Sequence, residues 1–247
     1  MITTAGAAPA PTLIGVTAIV TGASRGIGEA IARALALSGA TVALVARGRE
    51  ALERVAADIG PRARVVPCDV RDATAVHGAV AAITAALGES PRLLVNNAGL
   101  FDIAPLAEQS PDGFAAMVDA NLVAPFRFVH AFLPAMLAAG RGHVVTIGSV
   151  ADRQPFPGNG AYAASKFGAR ALHEVLRAET RGSGVRATLV SPAATDTTLW
   201  DGVGAERRDA LPARDQMLRP DDVARAVVYA VTQPPHVTVD ELRLSRS

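Results

Sequence analysis

Tyr162 and Lys166 stand four positions apart in the alanine-rich stretch AYAASKFGAR, residues 161 to 170. On a helix, positions i and i+4 share a face about one turn apart, so a phenol and an ammonium would be presented to one small volume. Such a pair suits proton transfer to an oxygen gaining negative charge, as when a carbonyl is reduced. A free phenol has a pKa of about 10, and lowering it by about three units takes roughly 4 kcal/mol of preferential phenolate stabilisation. A neighbouring cation supplies the right sign, so Lys166 is expected to lower the phenol of Tyr162. In an arbitrary helix the same spacing describes a surface pair. Other residues must decide between the two.

The segment TGASRGIG, residues 21 to 28, is the second chemical feature. It follows a β-branched run and places Gly22, Gly26 and Gly28 at the start of a helical pattern. Glycines let a backbone approach a ligand closely, and the unpaired N–H groups of a helix start attract phosphate, so this is a candidate diphosphate site that includes Ser24, Arg25 and Ile27. The spacing is G-x-x-x-G-x-G, without the G-K-[ST] ending of a P-loop.

The elements that would position these groups alternate. Short β-branched runs occur at 16 to 20, 41 to 46, 63 to 68, 93 to 97, 143 to 148, 185 to 191 and 236 to 242. Helical spacing covers 26 to 38, 50 to 59, 72 to 87, 112 to 138, 161 to 181 and 221 to 232. Continuous apolar strands between helices predict an α/β, Rossmann-type, doubly wound and mostly parallel seven-stranded sheet with helices on both faces. Ligands of such sheets bind beyond the carboxyl ends of the strands, near the point where strand order reverses. Residues 1–12 read as a flexible leader and 13–247 as one domain. The charged, poorly periodic stretch at about 196–219 reads as a lid.

These landmarks together resemble the short-chain dehydrogenase/reductase family, in its compact single-domain form. T-G-x-x-x-G-x-G opens the pattern, NNAG at 96 to 99 follows the fourth strand, Asn121 lies in the next helix, Ser149 ends the fifth strand, and YAASK follows 13 residues later. The resemblance spans about residue 15 to the last strand. It implies a catalytic set of Asn121, Ser149, Tyr162 and Lys166, with Tyr162 as proton donor and acceptor. Ser149 would orient the substrate oxygen, Lys166 would also hold the nicotinamide ribose, and Asn121 would support a water linking the lysine to solvent. The positive charge of an oxidised nicotinamide would assist Lys166 in lowering the phenol. By the same resemblance Asp69 contacts adenine with Val70 beside the ring, and Asn97, Ala98 and Gly99 pass near the adenosine ribose. Pro192, Thr195 and Thr197 would line nicotinamide and diphosphate. Ala193 departs from the family's usual Pro-Gly.

The second strand ends at Ala46 without the acidic residue that would receive a ribose 2′-hydroxyl. Arg47 follows it, and Arg25 sits in the glycine turn, so two guanidinium groups could surround a 2′-phosphate. NADP(H) is therefore the expected cofactor. Phe101, Phe156 and Trp200 could wall an apolar substrate pocket, and Arg153, Arg207 and Arg208 could bind a substrate carboxylate. The ending departs from the glycine-rich tail of acyl-carrier reductases and looks closer to 3-hydroxy-acid dehydrogenases and carbonyl reductases.

Composition sets outer limits. The 247 residues carry 24 basic and 23 acidic side chains, a net charge of +1, which gives no broad reason to seek nucleic acid or an anionic membrane. A single cysteine, Cys68, excludes an internal disulfide and a multi-cysteine metal site, suits a reducing cytoplasm, and reads as a buried structural thiol. No metal site is expected, nor a membrane span, since no uninterrupted apolar run approaches about 20 residues. The expected reaction is NADP(H)-dependent interconversion of a small-molecule carbonyl and a secondary alcohol, in a homodimer or homotetramer paired through the long helices at 112 to 138 and 161 to 181. A nucleotide-sensing binding protein is the alternative, though sensing needs no proton donor. Ser-His-Asp hydrolysis is more distant, because IGSVA lacks the G-x-S-x-G elbow.

Overall fold

A computed structural model of the chain describes residues 12–202 and 212–247. The strands are β1 (Thr17–Thr21), β2 (Thr41–Ala46), β3 (Ala63–Pro67), β4 (Leu93–Asn96), β5 (Gly142–Ile147), β6 (Val185–Pro192) and β7 (Glu241–Leu244). The α-helices are α1 (Gly26–Leu37), α2 (Arg49–Ile59), α3 (Ala73–Leu87), α4 (Pro111–Val118), α5 (Ala124–Ala138), α6 (Gly160–Glu179) and α7 (Pro220–Val231). The strands form one sheet in the order β3-β2-β1-β4-β5-β6-β7, every neighbouring pair being parallel.

The apolar runs are continuous because each strand feeds two cores. Ala18 and Val20 of β1 join Val42, Leu44 and Val95 in a layer packed by Ile31 and Leu35 of α1 and by Val223 and Val227 of α7. Ile19, between them, points the other way with Ala43, Val45 and Leu94, and meets Ile83 of α3 and Phe128, Phe132 and Met136 of α5. Successive side chains of a strand alternate faces, so burial on both sides removes the need for polar positions.

Two elements differ from the sequence pattern. The run expected as one helix at 112 to 138 is two helices joined by a π-helical turn, Asp119–Val123, which contains Asn121. The last strand, expected at 236 to 242, is Glu241–Leu244. The preceding residues are drawn aside by β6, whose Arg186 guanidinium donates to the carbonyls of Gln233 and Val237 at 3.1 Å and whose Thr188 hydroxyl donates to Val239 O at 2.7 Å. The other strands and helices agree with the pattern to within two residues at either end.

By length and composition Pro111–Ala138 could cross a membrane, with a mean hydropathy of 1.3 in its most apolar window. Its packing explains that character otherwise. Phe128, Phe132 and Met136 are buried against the sheet, and Arg127 donates to Arg71 O at 2.7 Å. It is a core helix.

Two histidines are buried among these layers. His143 Nε2 pairs with Thr188 Oγ1 at 2.8 Å, and His173 Nδ1 pairs with Thr146 Oγ1 at 3.0 Å. Burial pulls His143 down to about 3 and His173 down to about 4. Each folded value lies below the unfolded one, so the unfolded chain binds the proton first and stability declines as pH falls from about 6.5 towards those values. Denaturant titrations at pH 6.5 and pH 5 should show a loss of about 3 kcal/mol from the pair. Replacing His173 with Gln should remove about half of that difference; an unchanged difference would contradict the assignment.

Candidate active site

The turn from β1 into α1 is built for close approach. Gly22 has φ +69° and Gly26 φ +58°, both left-handed. A Cβ on Gly22 would lie 2.8 Å from Asn97 Nδ2, and one on Gly28 would lie 2.2 Å from Gly22 O. No side chain caps α1 at Arg25, so its first N–H groups have no such competitor for an anion. The NNAG segment fixes this turn from the neighbouring strand. Thr21 Oγ1 accepts from the backbone N–H of Asn97 and of Ala98, each at 3.0 Å, and Asn97 Nδ2 donates to Thr21 O at 2.8 Å.

A cleft of about 870 Å³ opens over the carboxyl ends of the strands. Gly22, Ser24, Arg25, Gly26, Ile27, Gly28, Arg47, Val70, Asn97, Ala98, Gly99, Pro192, Thr195 and Thr197 all line it, together with Asn121, Ser149, Tyr162 and Lys166. Among the residues expected at the cofactor, Asp69 alone does not line this cleft. It lines a separate, shallower depression, where its carboxylate accepts from Arg71 Nη2 at 2.8 Å and from Arg71 N at 3.0 Å. The Arg71 guanidinium beside it holds that carboxyl below the usual range. Committed to this pair, Asp69 leaves Val70 and Arg71 to form the cleft wall. Arg54 of α2 also lines the cleft near Arg47 and Gly48; in the sequence it was one more charge on an amphipathic helix.

Ser149 follows β5 and caps the 3₁₀ turn Val150–Asp152, its hydroxyl accepting from Ala151 N at 3.1 Å. Its side chain acts on the phenol of Tyr162, favouring the ionised form. Tyr162 and Lys166 lie one turn apart on α6, with Lys166 Nζ 5.8 Å from the tyrosine ring centroid. Lys166 is buried and donates to Ile147 O at 2.9 Å. The expected lowering of the phenol is absent in the chain alone. Burial pushes Tyr162 up to about 12; the Ser149 side chain opposes this and the charge of Asp152 adds to it. Burial likewise pulls Lys166 down to about 8, against the charge of Asp152. For each group the loss of water is the largest influence.

Asn121 reaches the site through the π-helical turn, a widening of the helix common at functional positions. Its Oδ1 accepts from Leu100 N at 2.8 Å, and its Nδ2 donates to Leu100 O and to Ser165 Oγ, both at 2.9 Å. The carboxamide thus clamps the loop after β4 to α6.

The aromatic residues meet as expected. Phe101 stands edge-on to Tyr162 at 4.8 Å and to Trp200 at 4.7 Å between centroids, and Phe156 lines the same cavity. Trp200 Nε1 donates to Thr195 O at 2.7 Å, which satisfies the polar edge of the indole. Ala193 replaces the family glycine without strain: among the described residues no non-glycine has positive φ, and Ala193 N donates to Leu244 O at 2.8 Å. Arg153 is not available to a substrate carboxylate, since its guanidinium is paired with Asp152 and Glu241. Arg207 and Arg208, and with them the middle of the expected lid and the leader through residue 11, lie outside the described residues. Both ends of that lid segment are tied down: Asp196 N donates to Leu218 O at 2.8 Å, and Arg214 pairs with Asp196 and Asp201. The buried histidines bond threonines, which leaves Ser149 without an imidazole partner among them. Cys68 is a buried free thiol, pushed up to about 11 by burial.

Comparison with known proteins agrees with this architecture. The chain is similar to the glycine betaine reductase ATRR of Emericella nidulans, 42% identical over 95% of the chain, although the match spans only 19% of that much longer protein. It is 36% identical to sulfoacetaldehyde reductase 2 of Chromohalobacter salexigens over 92% of each chain. Among solved structures it resembles an alcohol dehydrogenase from the archaeon Thermococcus sibiricus, complexed with 5-hydroxy-NADP, with a TM-score of 0.83, 33% identity and coverage of 93% and 95% of the two chains. The family model for short chain dehydrogenases matches residues 16–208, and with the glycine turn, the reversed strand order and the Ser-Tyr-Lys cluster in one cleft, the chain belongs to the short-chain dehydrogenase/reductase family of oxidoreductases.

Proposed function

We propose that the protein is an NADP(H)-dependent oxidoreductase that interconverts a small carbonyl compound and a secondary alcohol, with Tyr162 as proton donor in reduction and acceptor in oxidation. The observation that carries this reading is the meeting of Ser149, Tyr162 and Lys166 in the same cleft as the glycine turn. A binding protein that only senses nucleotide has no use for a phenol beside Ser149 and a buried lysine at that place.

The residues present fit such a cofactor. Gly22 and Gly28 let the turn pack directly against Asn97 and Ala98, and the start of α1 offers uncapped N–H groups to a diphosphate. Arg25, Arg47 and Arg54 border the end of the cleft beside Ala46, where planar guanidinium groups suit a 2′-phosphate. When bound, NADP(H) supplies the hydride and, in its oxidised form, a positive ring charge.

The chain's own residues manage the proton. Ser149 holds the substrate oxygen within reach of Tyr162, and the phenol, kept protonated by its dry surroundings, donates to that oxygen as negative charge develops on it. Lys166, anchored to Ile147 O, braces the tyrosine side of the site and stabilises the phenolate that forms. The edge-on aromatic contacts of Phe101 with Tyr162 and Trp200 exclude water and favour a substrate with an apolar face. The two relatives named above are reductases, which favours the reducing direction. The tied ends of 196–219 support a lid over this wall. The lone buried thiol supports a reducing, cytoplasmic setting. Exposed Phe126 of α5 and Phe167 and Val175 of α6 support pairing of subunits through those helices.

Tyr162→Phe should lower kcat by about 100-fold or more while leaving the circular dichroism spectrum and cofactor affinity in place. Normal turnover across a carbonyl panel would rule Tyr162 out as the proton donor. Arg47→Asp should weaken NADP(H) relative to NAD(H) by about 10-fold or more, read from Kd for each cofactor. An unchanged preference would remove Arg47 from phosphate recognition.

A further inference from the structure

Asp152 is a fully buried carboxylate three residues beyond Ser149, and the scheme above does not use it. Its Oδ2 accepts from Ser191 Oγ of β6 at 2.6 Å and from Ser149 N at 3.3 Å, and its Oδ1 accepts from Arg153 Nε at 3.1 Å. Every one of these partners is a donor, a set that suits the ionised carboxylate, which can only accept. Gly148 makes room for it, since a Cβ there would fall 2.6 Å from Oδ2.

The charges around it do not cancel locally. Arg153 is shared with Glu241 of β7, so one guanidinium serves two carboxylates and the group keeps one net negative charge. On the side of α6 the charged or titratable groups that feel Asp152 are Tyr162 and Lys166. Lys166 is buried, and its ammonium donates to a neutral carbonyl. A buried ammonium needs a counter-charge to stay ionised.

We propose that Asp152 is a positioning residue for the reaction, clamping Ser149 through its backbone N–H and serving as the counter-charge that keeps the protons of Lys166 and Tyr162 in place. The proposal rests on the roles assigned above to those two residues. Removing the charge makes both groups give up their protons at lower pH, because a nearby anion favours the protonated form of each. In the reducing direction the donor must be protonated, so the alkaline limb of the rate profile follows these groups.

The test compares Asp152→Asn and Arg153→Gln with the unaltered chain. In the profile of reductive kcat against pH, Asp152→Asn should move the alkaline limb by about one unit to lower pH, and Arg153→Gln, which strips the carboxylate of its cation, should move it the other way. A second readout does not depend on turnover. The chain has two tyrosines, and Tyr229 is exposed on α7, so Tyr229→Phe leaves Tyr162 as the sole tyrosine. Its phenol can then be titrated by NMR with carbon-13 tyrosine, and Asp152→Asn should lower that midpoint. If Asp152→Asn does not fold, the upward shift expected of Arg153→Gln carries the test. Loss of turnover with neither the limb nor the phenol titration moved would overturn the proposal, reducing Asp152 to a cap on its turn. A phenol midpoint that moves as expected while Tyr162→Phe remains active would uphold the counter-charge and reject the proton-donor reading instead.

Discussion

β1 and β4 lie side by side in the sheet, yet the connections leaving them run to opposite sides, β1 towards β2 and β3 and β4 towards β5. A crevice must open where the chain parts in this way, at the carboxyl ends of two parallel strands. Thr21 binds the two strand ends together by three hydrogen bonds of 2.8 to 3.0 Å, two from Asn97 and one from Ala98 N. Everything chemical in the molecule is arranged around that seam. The glycine turn hangs from one side of it and Asn121 braces the loop on the other, so a change in the register of β1 against β4 would separate the two halves of the cleft.

The price of a dry cleft falls on its ionisable groups. Burial raises the phenol of Tyr162 to about 12 and lowers the ammonium of Lys166 to about 8. A phenol in this state holds its proton at neutral pH, which matches the demands of a donor to a developing alkoxide. The same environment magnifies any charge introduced nearby. Asp152 gains influence from this, as part of a group of two carboxylates and one guanidinium next to Ser149.

The strands and helices were legible in the sequence because burial on both faces leaves unbroken β-branched runs, and helices between them keep their own period. The glycine positions were legible too, since positive φ and contacts below 3 Å admit no other residue. The π-helical turn at Asn121 was not: an extra residue in a helix leaves the apolar period almost unchanged over 111–138. The last strand was misjudged because Arg186 and Thr188 pull carbonyls out of a run whose composition reads as strand. The pairing of Asp69 was not legible, because the orientation of its carboxylate depends on Arg71, two residues on, and not on its own position after β3.

What the sequence by itself determined was the parallel sheet, the family and the list of polar residues that face one cleft, since these follow from hydrophobic period and from residue types at set spacings. Only the tertiary structure decided the electrostatic state of that cleft. Whether a lysine one turn from a tyrosine lowers its phenol depends on how much water both have lost and on which charges lie behind them. Arg153 shows the same thing in reverse, a loop arginine by sequence and a half-buried clamp between Asp152 and Glu241 in the fold. Burial and pairing of this kind arise from strands brought together across 88 residues of chain, from Arg153 to Glu241, and no local pattern records them.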